Sequence, residues 1–148
     1  MTNQTTINWN VVPTSLTAKL PTKATDGSNG YDLYADEAVT IGPDEWKLVS
    51  TGLSWSVPDG TCVLILPRSG LAAKHGVTVL NSPGLVDTDY RGIVKVILIN
   101  HSKTTFTVNV GERIAQALQI TPSNYPLTLA TKLSDTARGE GGFGHSGK

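Results

Sequence analysis

The segment Ile93-Val94-Lys95-Val96-Ile97-Leu98-Ile99 is apolar at all but one position and rich in β-branched residues, which is typical of a strand covered on both faces. The run Cys62-Val63-Leu64-Ile65-Leu66 has the same character. On either side of these runs, alternating apolar residues predict half-buried strands at positions 7–11, 49–57, 106–110 and 127–129. We expect the core, or an interface between subunits, at the two continuous runs.

Turn signals separate these stretches, at 26–27, 42–44, 58–60, 83–84 and 122–124. Helical periodicity is confined to Leu71-Ala72-Ala73-Lys74-His75, which Gly70 and Gly76 limit to one or two turns. Many short strands and one short helix predict an all-β domain, as a sandwich, jelly roll or barrel. Such folds carry unrelated functions, so function must be inferred from sites.

The composition suits one domain, since 148 residues with 39% hydrophobic residues can bury a core without disulfides. Cys62, the single cysteine, is expected to be buried, which fits an intracellular, unsecreted protein. Twelve basic and twelve acidic side chains cancel, which argues against polymeric nucleic acid and anionic membranes as partners. With no leader-like start and no apolar run of membrane-spanning length, we expect a soluble, unprocessed chain.

The segment Arg138-Gly139-Glu140-Gly141-Gly142-Phe143-Gly144-His145-Ser146-Gly147-Lys148 combines backbone freedom, phosphate donors and one aromatic face. The spacing of its glycines also matches the dinucleotide-binding motif and most of the phosphate-binding P-loop motif. Both of those motifs need a preceding strand and a following helix, so both are rejected. Either this is a solvated tail, or it closes over a ligand with a phosphate and a ring.

Two segments with polar residues flank the continuous runs. Pro67-Arg68-Ser69-Gly70 follows a strand and opens the helix, where Ser69 is expected to cap the helix and Arg68 to offer a fork for phosphate. Plain helix capping is the competing interpretation. The segment from Asn81 to Gly92 predicts a hairpin, in which Asp87 is an acid/base or metal candidate, whereas Asp89 is expected to bond its own backbone.

Three further residues have two interpretations each. Asp32 lies on a predicted strand and is a turn group or an outer-sphere metal anchor. Gln116, between two alanines, makes a ligand contact or an internal hydrogen bond. Tyr90 is a core or interface aromatic with a polar end. His75 and His101 have no companion at zinc-ligand spacing, so zinc is not expected.

Taken in order, five segments resemble the five motifs of trimeric dUTPases: 30–35, 67–71, 84–92, 111–116 and 138–144. Five separated motifs in the right order are a far more specific signal than one short pattern. The resemblance implies a jelly-roll homotrimer whose sites are each assembled from three chains. It also implies a single domain over 1–137 and a flexible tail over 138–148 that is exchanged between subunits and closes over the site.

The same resemblance implies a reaction, the hydrolysis of dUTP to dUMP and pyrophosphate with Mg²⁺ as cofactor. Asp87 matches the carboxylate that deprotonates the attacking water, and Asp32 matches the acid that holds Mg²⁺ through coordinated waters. Tyr90 would pack on the deoxyribose and exclude a 2′-hydroxyl, and Phe143 would stack on uracil. The substrate-binding positions that the resemblance implies are Arg68, Ser69, Gly70, Asn81, Gly84, Tyr90, Gln116, Arg138, Phe143, Gly144, His145 and Ser146.

Departures from the family pattern are small: Asn29 replaces alanine, Ala117-Leu118 replaces Leu-Ile, and His145 stands where serine is common. The nearest rival is a dCTP deaminase of the same fold, against which the Asp87-to-Tyr90 arrangement argues. A nucleotide-gated regulatory protein of the same fold is a second rival. A carbohydrate-binding β-sandwich is a third, and it leaves the glycine-rich tail without a role.

Overall fold

The computed structural model describes residues 8–147. Ile7 and Lys148, which belong to two of the patterns above, lie outside the described residues. Within that range no helix is long and apolar enough to cross a membrane. The elements, in chain order, are β1 (Asn10–Pro13), β2 (Tyr31–Tyr34), β3 (Val39–Ile41), β4 (Trp46–Ser50), β5 (Leu53–Ser56), β6 (Cys62–Leu66), α1 (Ser69–His75), β7 (Val77–Val79), β8 (Gly84–Val86), β9 (Lys95–Asn100), β10 (Phe106–Val108) and β11 (Arg113–Ile120).

The described strands pair antiparallel in four sheets. The largest has the order β2-β11-β6-β8, and a three-stranded sheet has the order β4-β9-β7. Two-stranded sheets join β1 to β5 and β3 to β10. Residues from all four enclose one hydrophobic core, with Leu33, Val63, Leu98 and Ile114 each at most 1% exposed.

The two continuous apolar runs form β6 and β9, each of which is flanked by strands on both sides. Cys62 is 7% exposed, so the expected burial of its thiol is confirmed. The one helix among residues 8–147 also lies where the periodicity predicts it. The core is therefore built around the segments whose composition indicated it.

The predicted strand over 49–57 is two strands in different sheets. Gly52 separates β4 from β5 with a φ of 65°, a left-handed conformation that glycine adopts without steric cost. The buried hydroxyl of Thr51 donates to the carbonyl of Val94 at 2.7 Å. The chain thus changes sheet at Gly52, although the alternation of apolar residues continues through it.

The strand predicted at 127–129 is wrong for the isolated chain. Leu127 and Leu129 are each 102% exposed, and the last described strand ends at Ile120. Tyr125 and Leu133 are also exposed, at 87% and 83%. The alternation is present, but the segment makes no strand pairing with the rest of the described chain.

Candidate active site

Asp32 lies at the centre of a charged group formed by β2, β11 and the segment after β6. Leu33 is fully buried, and because side chains alternate along a strand, Asp32 projects from the opposite face of β2. One carboxylate oxygen lies 3.5 Å from Nε of Arg68, and the other lies 3.6 Å from Nη1 of Arg113. Two guanidinium groups against one carboxylate leave a net positive charge, which suits an anionic ligand.

The two arginines are also tied to each other. Nη1 of Arg68 donates to the carbonyl of Arg113 at 3.2 Å, which orients the guanidinium of Arg68. Both residues line a cavity of about 470 Å³ whose wall includes Tyr34, His75 and Phe106. Glu112 lines the same cavity, so the two guanidinium groups face it together with one carboxylate.

Gln116 occupies the strand position between this group and β6. It is the cross-strand partner of Asp32 on β2 and of Leu66 on β6. Its Nε2 donates to the carbonyl of Pro67 at 3.0 Å, and a Cβ at Gly30 would lie only 2.5 Å from its Oε1. The structure thus shows the internal hydrogen bond, while the ligand contact of Gln116 stays a prediction.

Ser69 is the first residue of α1 and does not cap it, so the capping prediction is wrong. The N-cap residue is Arg68, whose backbone is extended, and no side chain caps the helix. A serine within the helix has helical backbone angles, from which its hydroxyl does not satisfy the first free amides. Ser69 and Gly70 are both exposed and follow the guanidinium of Arg68 directly.

Asp87 begins a tight turn after β8. The backbone N–H of Tyr90 donates to the carbonyl of Asp87 at 3.2 Å, and Asp87 itself is exposed. Asp87 and Tyr90 line a cavity of about 260 Å³, together with residues of β4 and β9. An exposed carboxylate beside an aromatic wall can accept a proton from a water next to a bound ligand.

The hairpin predicted over 81–92 is also wrong. β8 pairs with β6, whereas β9 pairs with β4 and β7 in a different sheet. The predicted turn residues are present, but the neighbour of β8 is β6, and the neighbours of β9 are β4 and β7. Asn81 is exposed, and its Nδ2 would lie 3.2 Å from a Cβ at the buried Gly84, so these two residues lie together.

Two arginines contribute to these groups although the sequence analysis assigned them no role. Arg113 pairs with Asp32, and Nη1 of Arg91 donates to the carbonyls of Thr88 and Tyr90 at 2.7 and 3.1 Å. The hydroxyl of Thr88 in turn donates to the carbonyl of Thr61, the residue directly before β6. Arg91 thus braces the turn. Arg91 lies within the motif at 84–92 and Arg113 within the motif at 111–116, and this position inside a motif is the sequence signal that could have identified them.

Glu112 stabilises the turn that leads into β11. Its carboxylate accepts from the backbone N–H and the side-chain amide of Asn109, each at 3.0 Å. These bonds, the backbone one first, hold the pKa of Glu112 below its ordinary value, against a smaller opposing effect of desolvation. The turn therefore favours the ionised carboxylate.

The Asp32 group and the Asp87 turn lie at opposite ends of β6. Val86 pairs with Val63 near the start of β6, whereas Arg68 follows Leu66 at its end. The four residue steps of β6 span about 13 Å, before the flanking residues are counted. One chain thus does not present Asp87 and Arg68 to the same phosphorus atom.

In the described part of the chain, the hydrogen bonds of the glycine-rich segment stay within residues 136–147. Nε of Arg138 donates to the carbonyl of Gly141 at 2.7 Å, and the backbone N–H of His145 donates to the carbonyl of Gly142 at 3.1 Å. The side chain of Phe143 is 114% exposed. Ser146 and Gly144 are likewise exposed. The structure brings none of these tail residues to Asp32 or Asp87.

The carboxylate of Asp32 fits a magnesium ion that keeps its water ligands and binds together with an anionic ligand, because the two guanidinium groups otherwise leave the group net positive. The two ion-pair distances exceed ordinary hydrogen-bond lengths, so the carboxylate oxygens retain lone pairs for metal-bound water. In the described residues no three His, Cys, Asp or Glu side chains cluster as a metal cage. Mg²⁺ typically binds through one or two carboxylates and substrate phosphates, which this donor set matches.

The fold, the charged group around Asp32 and the turn at Asp87 define a β jelly-roll protein with surfaces suited to a phosphorylated ligand. The dUTPase family model matches residues 17–147, and the chain belongs to the dUTPase family. A deoxyuridine 5′-triphosphate nucleotidohydrolase from Picosynechococcus sp. is 50% identical over 130 residues, which cover 88% of this chain and 92% of that protein. The protein of the same name from Nautilia profundicola is 50% identical over 131 residues, with the same two coverages.

Solved structures show the same fold. The dUTPase of Staphylococcus bacteriophage 80alpha with dUPNHPP superposes with a TM-score of 0.89 at 24% identity, and covers 97% of this chain and 100% of its own. A mutant dUTPase from phage phi11 of S. aureus, described with a structural Mg(II) ion, gives 0.80 at 21% identity, and covers 86% and 99%. The expected family and jelly-roll fold are confirmed.

Proposed function

We propose that this chain hydrolyses dUTP to dUMP and pyrophosphate. The observation that carries the proposal is the Asp87 turn, which holds an exposed carboxylate at a cavity walled by Tyr90, in a chain of the dUTPase family. Relatives at 50% identity are named deoxyuridine 5′-triphosphate nucleotidohydrolase, which supports the same substrate here.

Asp87 is the general base of this reaction. It accepts a proton from a water whose oxygen attacks the α-phosphorus, while the bond from that phosphorus to the bridging β-phosphate oxygen breaks and pyrophosphate leaves. An aspartate suits this task because its carboxylate oxygens accept a proton and because a braced turn holds the residue in place. Positioning and charge neutralisation supply the rest of the catalysis.

Arg68 and the exposed Ser69 and Gly70 bind the phosphates, and Gln116 holds the backbone from which Arg68 extends. Asp32 would hold Mg²⁺ through waters, and the bound ion would supply charge neutralisation at the phosphates. The phi11 dUTPase, which carries a structural Mg(II) ion, supports a place for this metal in the family. The pair of arginines beside Asp32 supports an anionic ligand there.

The site is assembled from three chains of a homotrimer. The separation of Asp87 and Arg68 along β6 supports this, because the innermost phosphate needs both residues within a few ångström. The exposed apolar side chains after Ile120 support an exchanged C-terminal segment. In this proposal residues 1–137 form the jelly-roll domain and residues 138–148 form the tail that closes over the nucleotide.

The tail supplies Arg138, His145 and Ser146 to the outer phosphates, with Gly144 allowing close backbone approach. Phe143 stacks on uracil, and its full exposure in the isolated chain supports a role that needs a partner surface.

Substrate choice rests on the Asp87 side of the site. Asn81 and the backbone at Gly84 hydrogen-bond the uracil edge, which excludes cytosine by polarity and thymine by its methyl group. Tyr90 packs on the deoxyribose and leaves no room for a 2′-hydroxyl. An intracellular location, where such a nucleotide is found, stays a prediction from the single buried cysteine.

Release of pyrophosphate from each deoxynucleoside triphosphate tests the proposal. We expect release from dUTP and little from dTTP or dCTP. Ammonia release from dCTP would instead identify the deaminase of this fold, and the absence of turnover with dUTP and Mg²⁺ would overturn the proposed reaction. Carbohydrate and regulatory roles gain no support from the geometry.

A further inference from the structure

Gly92 has an unusual packing environment at the end of the Asp87 turn. A Cβ at this position would lie 2.5 Å from Oη, 2.7 Å from Cζ and 3.1 Å from Cε2 of Tyr90. All three nearest atoms belong to that one ring. A side chain of any size at position 92 is therefore incompatible with the observed place of the Tyr90 ring.

The backbone does not by itself require glycine here. Gly92 is not among the residues with positive φ, unlike Gly60 or Gly76, so alanine fits its backbone conformation. What alanine does not fit is the space, which the phenol ring occupies. The requirement for glycine at position 92 therefore comes from Tyr90.

The ring of Tyr90 is held in this place at both ends. Its hydroxyl donates to the carbonyl of Ile93 at 3.1 Å, and its backbone carbonyl accepts from Nη1 of Arg91. Tyr90 is 45% exposed and lines the cavity that it shares with Asp87, while the hydroxyl end of its ring lies against Gly92. The place of the ring sets the width of that cavity.

We propose that Gly92 is a positioning residue that sets the sugar specificity of the enzyme by letting the Tyr90 ring fold back onto the backbone. Without this contact the ring turns away and releases the carbonyl of Ile93. The cavity wall then no longer defines the space beside the 2′ carbon of the sugar. The inference rests on the proposed function, because Tyr90 must be the residue that packs on the deoxyribose.

The primary experiment measures kcat/KM for dUTP and UTP with the wild type, Gly92→Ala and the matched control Gly27→Ala. A Cβ at Gly27 meets nothing within 4 Å, and Gly27 also lacks a positive φ. We expect the dUTP-to-UTP ratio to fall about tenfold or more in Gly92→Ala, the usual effect of a misfitted pocket wall, and to stay unchanged in the control. An unchanged ratio in Gly92→Ala would overturn the inference.

A double-mutant cycle separates this role from a general effect on folding. In a Tyr90→Ala background the collision partner is gone, so adding Gly92→Ala is expected to change the dUTP-to-UTP ratio less than about twofold. An equal loss with and without the ring would contradict the inference.

Thermal melting of the same four proteins gives a readout that needs no turnover. Any destabilisation by Gly92→Ala is expected to disappear in the Tyr90→Ala background, so the double variant should be about as stable as Tyr90→Ala alone. A Gly92→Ala destabilisation of equal size in the wild type and in the Tyr90→Ala background would refute the collision. If the wild type folds but does not hydrolyse dUTP, the proposed function fails, while the melting cycle still decides whether Gly92 accommodates the ring.

Discussion

Removal of residues 138–148 is expected to abolish most of the activity and leave the fold intact. In the described residues the hydrogen bonds of the tail stay within 136–147, and Phe143 is fully exposed. Since the tail packs on nothing in its own chain, its deletion should change the free energy of unfolding by less than about 0.5 kcal/mol without nucleotide.

The expected loss of activity follows from what the tail supplies in the closed site. Stacking of an aromatic ring on a base contributes about 1–3 kcal/mol. Charge-assisted hydrogen bonds from Arg138 to phosphate contribute about 1.5–3 kcal/mol more. Together these predict a fall in kcat/KM of roughly 10²–10⁴-fold. Phe143→Ala alone should lose about 5–150-fold, the stacking part only.

The assay is pyrophosphate release from dUTP, paired with thermal melting and sedimentation. Glu140→Gln, in the same segment and with no assigned role, is the matched control and should retain wild-type activity. Full activity in the truncated protein would refute the tail's role. A melting temperature several degrees lower would refute the conclusion that the tail contributes nothing to the stability of its own chain.

Three further changes have defined expectations. Asp87→Asn should lower kcat by at least about 10³-fold yet still bind a nonhydrolysable dUTP analogue in calorimetry, because only the proton acceptor is lost, and loss of binding in the folded variant would contradict a purely chemical role. Arg68→Lys should weaken analogue binding by about tenfold, since an ammonium group does not contact Asp32 and a carbonyl as the guanidinium fork does; unchanged affinity would count against that fork. The lowered pKa of Glu112 means that its contribution to stability is present above its ordinary pKa and is lost as the pH falls through the folded-state value. The free energy of unfolding in urea should therefore change less between about pH 7 and about pH 3 in Asn109→Ala than in the wild type. An identical change in the two proteins would refute this.

Composition and periodicity predicted the parts of the fold that depend on local burial. The apolar runs became β6 and β9, and the helix lies between its two glycines. Family membership and the jelly-roll fold, inferred from the order of five motifs, are confirmed. The roles of the site residues stay predictions.

The errors at 81–92 and 127–129 share one physical cause, which is that the sequence pattern does not identify the neighbouring strand. Residues 81–92 have the turn residues of a hairpin, yet β8 and β9 pair in different sheets. The alternation at Leu127 and Leu129 is present, but the segment pairs with no strand in the described sheets. The backbone angle of Gly52 ends one strand and begins another, although the alternation of apolar residues continues through it. A hydrophobic pattern does not encode such a backbone angle.

Arg113 was missed for a related reason. Its position within 111–116 was known, but its contact with Asp32 depends on the antiparallel register of β11 against β2, with a bulge after Arg113. Such a register is set by tertiary packing rather than by either segment alone. Charged pairs across strands therefore need the structure, even where both motifs are recognised.

Subunit mixing tests the central claim, that Asp87 of one chain and Arg68 of another act on one nucleotide. Asp87→Asn and Arg68→Ala chains, each inactive alone, are unfolded together, refolded and assayed for pyrophosphate release, with mixed trimers verified by native mass spectrometry. Because random assembly pairs an intact Asp87 with an intact Arg68 at about one quarter of shared sites, we expect roughly that fraction of wild-type activity. Mixed trimers without activity would place both residues in the same chain's site and contradict the account.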